Sequence, residues 1–332
     1  MKRVLTIAGS DCSGGAGIQA DLKTITAFGM YGMSVITALT AQNTRGVFDV
    51  RETDERMLRG QFEAVCSDLP PDAVKIGMLP SETAVLAVAD ALEKWKPRHV
   101  VCDPVMVSTS GRTLMSPQAE AAARELLYPR VSLITPNMSE AKRLLAREFP
   151  DMDGNIPPGF KSSPEEECRR SRAELGSKAG PENEEEPENK AIQEDAARIL
   201  GDRLKTSVLV KGGHVTGGAD DCLYHNGRLV WFRSERLPAK NSHGTGCTLS
   251  SAIACGLAGG WPLEDAVAFA KGFLFEALRT EPGFGHGNGP LNHCFAIREV
   301  FHPKKKAGSP LHESVSIAYI WRRIIWKERT GR

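Results

Sequence analysis

Five short apolar runs, Val4–Ala8, Ser34–Leu39, Ala73–Met78, His99–Asp103 and Val131–Thr135, punctuate the first 150 residues, and helical periodicity fills most of the gaps between them. That alternation predicts successive β-α-β units, because parallel strands need a helical crossover to return to the same end of a sheet. Near-continuous apolar strands such as Val100-Val101-Cys102 belong to a sheet covered on both faces. The chain is therefore expected to be an α/β protein, a three-layer αβα sandwich around a mostly parallel sheet. Helices are expected from Ser81 to Trp95 and from Ser116-Pro117, the latter with a hydroxyl cap and a proline in its first turn.

The rhythm breaks between residues 151 and 190, where Pro157-Pro158, Glu165–Glu167 and Glu184–Glu186 crowd together with few aromatic or β-branched residues. Such a segment cannot bury enough apolar surface to offset its ordering entropy, so a disordered acidic insertion is expected within one domain spanning 1–295. Order should resume with a helix at Ala191–Leu204 and a strand at Ser207–Lys211. Asn226-Gly227, between Asp221–Tyr224 and Leu229–Phe232, predicts a type I′ hairpin at an antiparallel sheet edge. Helices at Thr245–Gly259 and Leu263–Thr280 complete the body. Residues 296–332 read as a poorly ordered basic tail, with eight Lys/Arg against two Asp/Glu from Pro303 onward.

The richest chemical signal is Asn241-Ser242-His243-Gly244-Thr245-Gly246-Cys247-Thr248 at a helix start. Glycines beside a hydroxyl let backbone N–H groups converge at the positive end of a helix, an anion cradle suited to a transferring phosphoryl group. A thiol there, Cys247, is expected to have a lowered pKa and to serve as a proton acceptor. The plainer account is a helix start with glycines for close packing.

Four more constellations follow strands, where α/β proteins place their ligands. Gly9–Lys23 contains a Gly-rich turn with Asp21 one helical turn further on; it lacks both the Walker Gly-Lys-Ser/Thr ending and the G-x-G-x-x-G spacing, and a simple tight turn is its alternative. Gln42 ends the second strand with a carboxamide able to pair with a ring nitrogen and an exocyclic amine together, unless it is merely solvated. Asn137 and Glu140 share a helical face as oxygen ligands for Mg²⁺ or as a reciprocal helix cap. Lys211 either meets nucleotide phosphates or forms a buried salt bridge.

Taken in order, Ser-Gly-Gly-Ala-Gly-Ile-Gln-Ala-Asp-Leu-Lys, Ala-Gln-Asn-Thr, Lys75-Ile-Gly-Met-Leu79, Asp103-Pro-Val-Met106, Thr-Pro-Asn-x-x-Glu, Lys-Gly-Gly-His and His-Gly-Thr-Gly-Cys resemble the hydroxymethylpyrimidine/phosphomethylpyrimidine kinases of thiamin biosynthesis, members of the ribokinase-like superfamily. Residues 283–293 resemble the fungal forms. The resemblance implies transfer of the ATP γ-phosphoryl to 4-amino-5-hydroxymethyl-2-methylpyrimidine and then to its monophosphate. It implies a pyrimidine pocket of Gly9, Asp21, Gln42 and Met78, with Lys211 on ATP and with Asn137, Glu140 and Asp103 around Mg²⁺. Gly244, Thr245, Gly246 and Cys247 would then be catalytic. A pyridoxal kinase of the same superfamily, or an inactive binding relative, are the other readings.

The balance of 42 Lys/Arg and 41 Asp/Glu gives a formal charge of +1, so no strong field draws the chain to nucleic acid or an anionic membrane. Eight cysteines without a C-x-x-C pair read as reduced thiols rather than a zinc site. With no apolar run of membrane length and no signal-peptide core, a cytoplasmic enzyme working on small molecules is expected, with a homodimer as its assembly.

Overall fold

The computed structural model describes residues 1–108, 111–148, 185–213, 218–238 and 241–295. Its centre is a nine-stranded sheet built from β1 (Arg3–Asp11), β2 (Tyr31–Asn43), β3 (Gly46–Glu52), β4 (Ala73–Ile76), β5 (Val100–Cys102), β6 (Leu133–Ile134), β7 (Ser207–Val210), β8 (Asp221–His225) and β9 (Arg228–Phe232). The spatial order is β3-β2-β1-β4-β5-β6-β7-β8-β9. In that order the strands from β2 to β7 pair parallel, and antiparallel pairs close both ends, β2 with β3 at one and β7 with β8 and β8 with β9 at the other. The expected hairpin is present, with Asn226 and Gly227 at φ 50° and 74°, the left-handed pair that a type I′ turn requires. The opposite antiparallel edge was not expected, because most of β3 is exposed and its residues bury no apolar face that a pattern could reveal.

Alternation along the strands divides the core into two layers. Leu5, Ile7, Val74, Ile76 and Val100 face α2 (Glu55–Asp68), α3 (Glu82–Trp95), α4 (Pro117–Ala122), α5 (Met138–Glu148) and α6 (Glu185–Leu204). Val4, Val101, Leu133 and Leu209 face α1 (Gly17–Ala27), α7 (Thr245–Ala258) and α8 (Leu263–Arg279). Ser116 caps α4 by accepting from Ala119 N, but the helix then widens into a π turn over Ala123–Leu127 and tightens at Tyr128–Arg130, where Pro129 cannot donate to the ladder. Helix α6 begins at Glu185, six residues before the Ala191 expected, so the end of the expected insertion is helical. The rest of that insertion, the tail and His214 lie outside the described residues.

Near the end of the described chain His293 is buried and shares a hydrogen bond of 2.9 Å with Thr248 Oγ1 in the first turn of α7. Burial holds its pKa down at about 4 from the ordinary 6.5. Above pH 6.5 folded and unfolded forms are both neutral. As pH falls from 6.5 toward 4 only the unfolded chain gains the proton, so stability is lost across that window. Between pH 7 and 5 the wild type should lose about 2 kcal/mol more unfolding free energy than His293→Gln, measured by urea denaturation at both pH values; equal losses would contradict this.

Candidate active site

The carboxyl ends of β1, β2, β4, β5, β6 and β7 all open on the same edge of the sheet, and the sequence-predicted site residues Gln42, Met78, Asp103, Asn137 and Lys211 lie at or just beyond the ends of these strands. The mouth of α7 meets them there. Gly244 opens that helix at φ 88°, and a Cβ on it would stand 2.0 Å from the Gly15 carbonyl oxygen, so only glycine lets this turn reach the Gly-rich loop of β1. A Cβ on Gly246 would stand 2.8 Å from Asp103 Oδ2 and 3.3 Å from Lys211 Nζ. The amide cradle is therefore adjacent to the acidic end of β5 and the basic end of β7.

Lys211 Nζ donates to Asp103 Oδ1 over 2.7 Å, and Thr135 Oγ1 reaches the same oxygen at 3.1 Å. The salt bridge expected as the alternative for Lys211 is thus real, but its ammonium also faces the cradle. Asn137 and Glu140 form the reciprocal cap: Asn137 N donates to Glu140 Oε2 at 2.7 Å, and Glu140 N donates to Asn137 Oδ1 at 2.8 Å. Burial, reinforced by Asp103, pushes the Glu140 carboxyl up to about 7 against the opposing pull of Lys211. Asp103 and Glu140 offer carboxyl oxygens of the kind a hydrated hard cation takes, and a cation beside them would favour the ionised form of Glu140 that burial opposes. Among the described residues no group of three His, Cys, Asp or Glu side chains is placed to hold a metal ion.

Beyond the end of β4 Met78 abuts Gly9 of β1, since a Cβ on Gly9 would lie 3.0 Å from the Met78 sulfur, and Thr37 Oγ1 donates to the Met78 carbonyl at 2.7 Å. Gln42 reaches across to His243, with 3.0 Å between its Nε2 and the histidine Nε2, so the end of β2 touches the residue before the cradle. His243 Nε2 is also 2.9 Å from Asp11 Oδ2. Neither Asp11 nor His243 is picked out by motif reasoning; the only signal was their places in the Gly-rich loop and the His-Gly-Thr-Gly-Cys run.

Two expectations require correction. Asp21 does not line a pocket: it is wholly buried and accepts hydrogen bonds from Thr6 Oγ1, Lys75 Nζ and Ser251 Oγ at 2.5 to 2.9 Å. Its charge is neutralised inside the protein by Lys75, also wholly buried. Nor is the Cys247 thiol acidified. Burial pushes it up to about 11, outweighing the Lys75 ammonium and a hydrogen bond from Gly17 N.

A sequence model of phosphomethylpyrimidine kinase matches residues 11–156 and 181–292, and a hydroxymethylpyrimidine/phosphomethylpyrimidine kinase of Rhizobium meliloti is 43% identical over 292 residues, covering 87% of this chain and 96% of that protein. The chain belongs to the phosphomethylpyrimidine kinase family. The gap in the family match, residues 157–180, falls within the acidic insertion. A thiamine biosynthesis bifunctional protein of Geobacter sulfurreducens is 42% identical over 298 residues, which are 90% of this chain and 53% of that protein; the chain spans about half its length. Among solved structures, a phosphomethylpyrimidine kinase from Clostridium difficile aligns at TM-score 0.63 with 38% identity, covering 83% of this chain and 99% of that one. A Bacillus subtilis pyridoxal kinase, solved with ADP, aligns at TM-score 0.70 with 29% identity over 89% and 98% of the two chains. The fold is ribokinase-like, shared by both kinase types, while the higher sequence identity lies with the phosphomethylpyrimidine kinases. The fungal affinity expected for residues 283–293 finds no support in these relatives.

The pair beneath this site can be tested by itself. Lys75→Met leaves a buried Asp21 carboxylate uncompensated and should cost about 3 to 5 kcal/mol in urea unfolding, whereas Lys75→Met with Asp21→Asn should recover at least half of that. A single-variant cost below about 1 kcal/mol would show that the pair carries little of the structure.

Proposed function

We propose that the protein transfers the γ-phosphoryl group of ATP to the hydroxymethyl group of 4-amino-5-hydroxymethyl-2-methylpyrimidine and then to the resulting monophosphate, in the synthesis of thiamin. The observation that carries this reading is the meeting of three parts at one sheet edge. The α7 amide cradle adjoins Lys211 and Asp103 through Gly246, and adjoins Gln42 through His243. A phosphoryl group held by the cradle is then within reach of an acceptor held by Gln42.

In this reading the aminopyrimidine lies over Gly9 and Met78, with the Gln42 carboxamide against its ring nitrogen and amine. Lys211 turns from Asp103 toward the nucleotide phosphates. Asp103, Asn137 and Glu140 are the residues that would hold Mg²⁺, which when bound would supply positive charge against the phosphate oxygens. The N–H groups of Gly244 to Cys247 are aimed where charge spreads over the equatorial oxygens during transfer, and because the helix fixes them they need no reorganisation at that moment.

Cys247 is the acceptor of the alcohol proton in the first transfer, and the second needs none because a phosphate oxygen attacks already ionised. A thiol poised near 11 is present as thiolate in only a small fraction at neutral pH, and that fraction rises tenfold per pH unit. In single-turnover assays the first transfer should therefore accelerate with pH from 6.5 to 9.5 and the second should not. Cys247→Ala should slow the first more than the second. Equal losses in both steps would reject the proton-acceptor role.

The function itself is tested by a coupled ADP-release assay on purified protein with the aminopyrimidine and with pyridoxal. A pocket built to pair with an amine and a ring nitrogen should favour the aminopyrimidine in kcat/KM by at least about a hundredfold. Preference for pyridoxal would assign the protein to the other branch of the fold, and turnover of neither would remove the proposal.

A further inference from the structure

Gln42 can serve as a reader only if its two ends are distinguished, because a carboxamide turned by half a rotation exchanges donor for acceptor at the same positions. Its neighbours decide the matter. As placed, Oε1 lies 3.2 Å from Thr40 Oγ1, and Nε2 lies 3.0 Å from His243 Nε2. The single proton of the Thr40 hydroxyl is already given to the Ser10 carbonyl at 2.9 Å, so toward Gln42 that oxygen can only accept. His243 Nε2 stands 2.9 Å from Asp11 Oδ2. Asp11 is buried; burial would raise its pKa, but hydrogen bonds from His243, Ser13 and Ala16 together take it below the ordinary value, so it is an anion. Beside an anionic oxygen the imidazole nitrogen must carry its proton and donate. Both neighbours therefore ask for the same arrangement, with the Gln42 oxygen toward His243 and its NH₂ toward Thr40.

We propose that His243, held by Asp11, is a positioning residue that fixes which end of the Gln42 carboxamide meets each substrate atom, and so sets the preference for an amine beside a ring acceptor. The inference rests on the pyrimidine reading given above. The chain runs Asp11 carboxylate, His243 N–H, Gln42 oxygen, Gln42 NH₂, Thr40 hydroxyl, Ser10 carbonyl, with the one Nε2 proton of His243 shared between Asp11 Oδ2 and the Gln42 oxygen. Its supports are rigid. Asp11 Oδ1 accepts from Ser13 N and Ser13 Oγ at 2.9 and 2.8 Å, and Oδ2 also accepts from Ala16 N at 2.9 Å. The His243 ring is packed so closely on the loop that a Cβ on Gly15 would lie 2.4 Å from its Cδ2. Its backbone is fastened as well, with His243 N donating to Gly289 O at 3.2 Å and Asn288 N donating to Thr44 O at 2.9 Å, so residues 288–289 bind the 243 loop to the end of β2. The Gly-rich segment before the end of the described chain, which the kinase chemistry leaves without a role, thus serves to hold reader and positioner together.

A substrate probe follows directly. The 4-oxo analogue of the aminopyrimidine presents a carbonyl and a ring N–H where the natural pattern is an amine and a ring acceptor, the reversed polarity. Wild-type protein should discriminate against it. In His243→Leu only the longer Thr40 contact, 3.2 Å, still orients the carboxamide, and the ratio of kcat/KM for amino over oxo substrate should fall at least about tenfold. A ratio measured on one preparation is insensitive to its folded fraction, so general damage does not move it. In a Gln42→Ala background the same His243 substitution should leave the ratio within twofold, because the effect passes through Gln42. An unchanged ratio in His243→Leu, or an equal fall without Gln42, overturns the inference. Should the wild type act on neither pyrimidine, the functional reading fails instead; ¹⁵N NMR of the histidine side chains in unliganded protein then still tests the chain. A protonated Nε2 in His243 supports it and a bare Nε2 contradicts it.

Discussion

A single ion pair with no access to water organises the catalytic edge of this protein. Lys75 on β4 and Asp21 on α1 meet at 2.8 Å with both side chains fully enclosed. Two charges so placed lose their hydration, and the arrangement persists only when every remaining bond is satisfied. Thr6 of β1 and Ser251 of α7 supply those bonds to Asp21. Four elements from distant parts of the chain are thereby fixed to one point. The Lys75 ammonium lies beneath Gly77, where an added Cβ would stand 2.8 Å from it, so the strand end that presents Met78 is held by the same contact that seats α7.

On that foundation two helix starts are brought together. The first turn of α1 follows the Gly-rich loop, and the first turn of α7 packs on it. Gly17, at φ 56°, lies so close to the Gly9 carbonyl that a Cβ would stand 2.3 Å from that oxygen. Gly244 makes the matching approach from the other side. Both helix N-termini are thereby brought together, and the positive ends of both favour an anion there. Cys247 sits at this junction half-buried, yet its thiol resists ionisation, because desolvation there costs a thiolate more than Lys75 and the Gly17 hydrogen bond return. Local charge placement and burial oppose each other here, and burial prevails.

Much of this could be read from the chain. The parallel strands, the Asn-Gly hairpin and the order of motifs at strand ends follow from local patterns of period and turn chemistry, which act over a few residues. What escaped reading depended on partners far along the sequence. Asp21 looked like a ligand-facing carboxylate because Lys75, 54 residues away, was not visible as its counter-ion. The acidity assigned to Cys247 followed from its place at a helix start, while the desolvation that raises its pKa comes from neighbours across the fold. His243 and Gln42 are 201 residues apart, so no spacing announced their contact. The β3 edge was overlooked because an exposed strand needs no apolar face. The start of α6 at Glu185 was hidden by an acidic composition that argues against order.

The central claim is that the mouth of α7 holds the phosphoryl group during its passage from nucleotide to acceptor. A crystal structure with ADP, aluminium fluoride, Mg²⁺ and the aminopyrimidine tests it most directly. The account places the fluoride complex within hydrogen-bond distance of the N–H groups of residues 244–247, with the hydroxymethyl oxygen in line on one side, the ADP β-phosphate on the other, and Gln42 on the pyrimidine ring. A fluoride complex bound away from those amides, or a pyrimidine bound out of reach of Gln42, would contradict it.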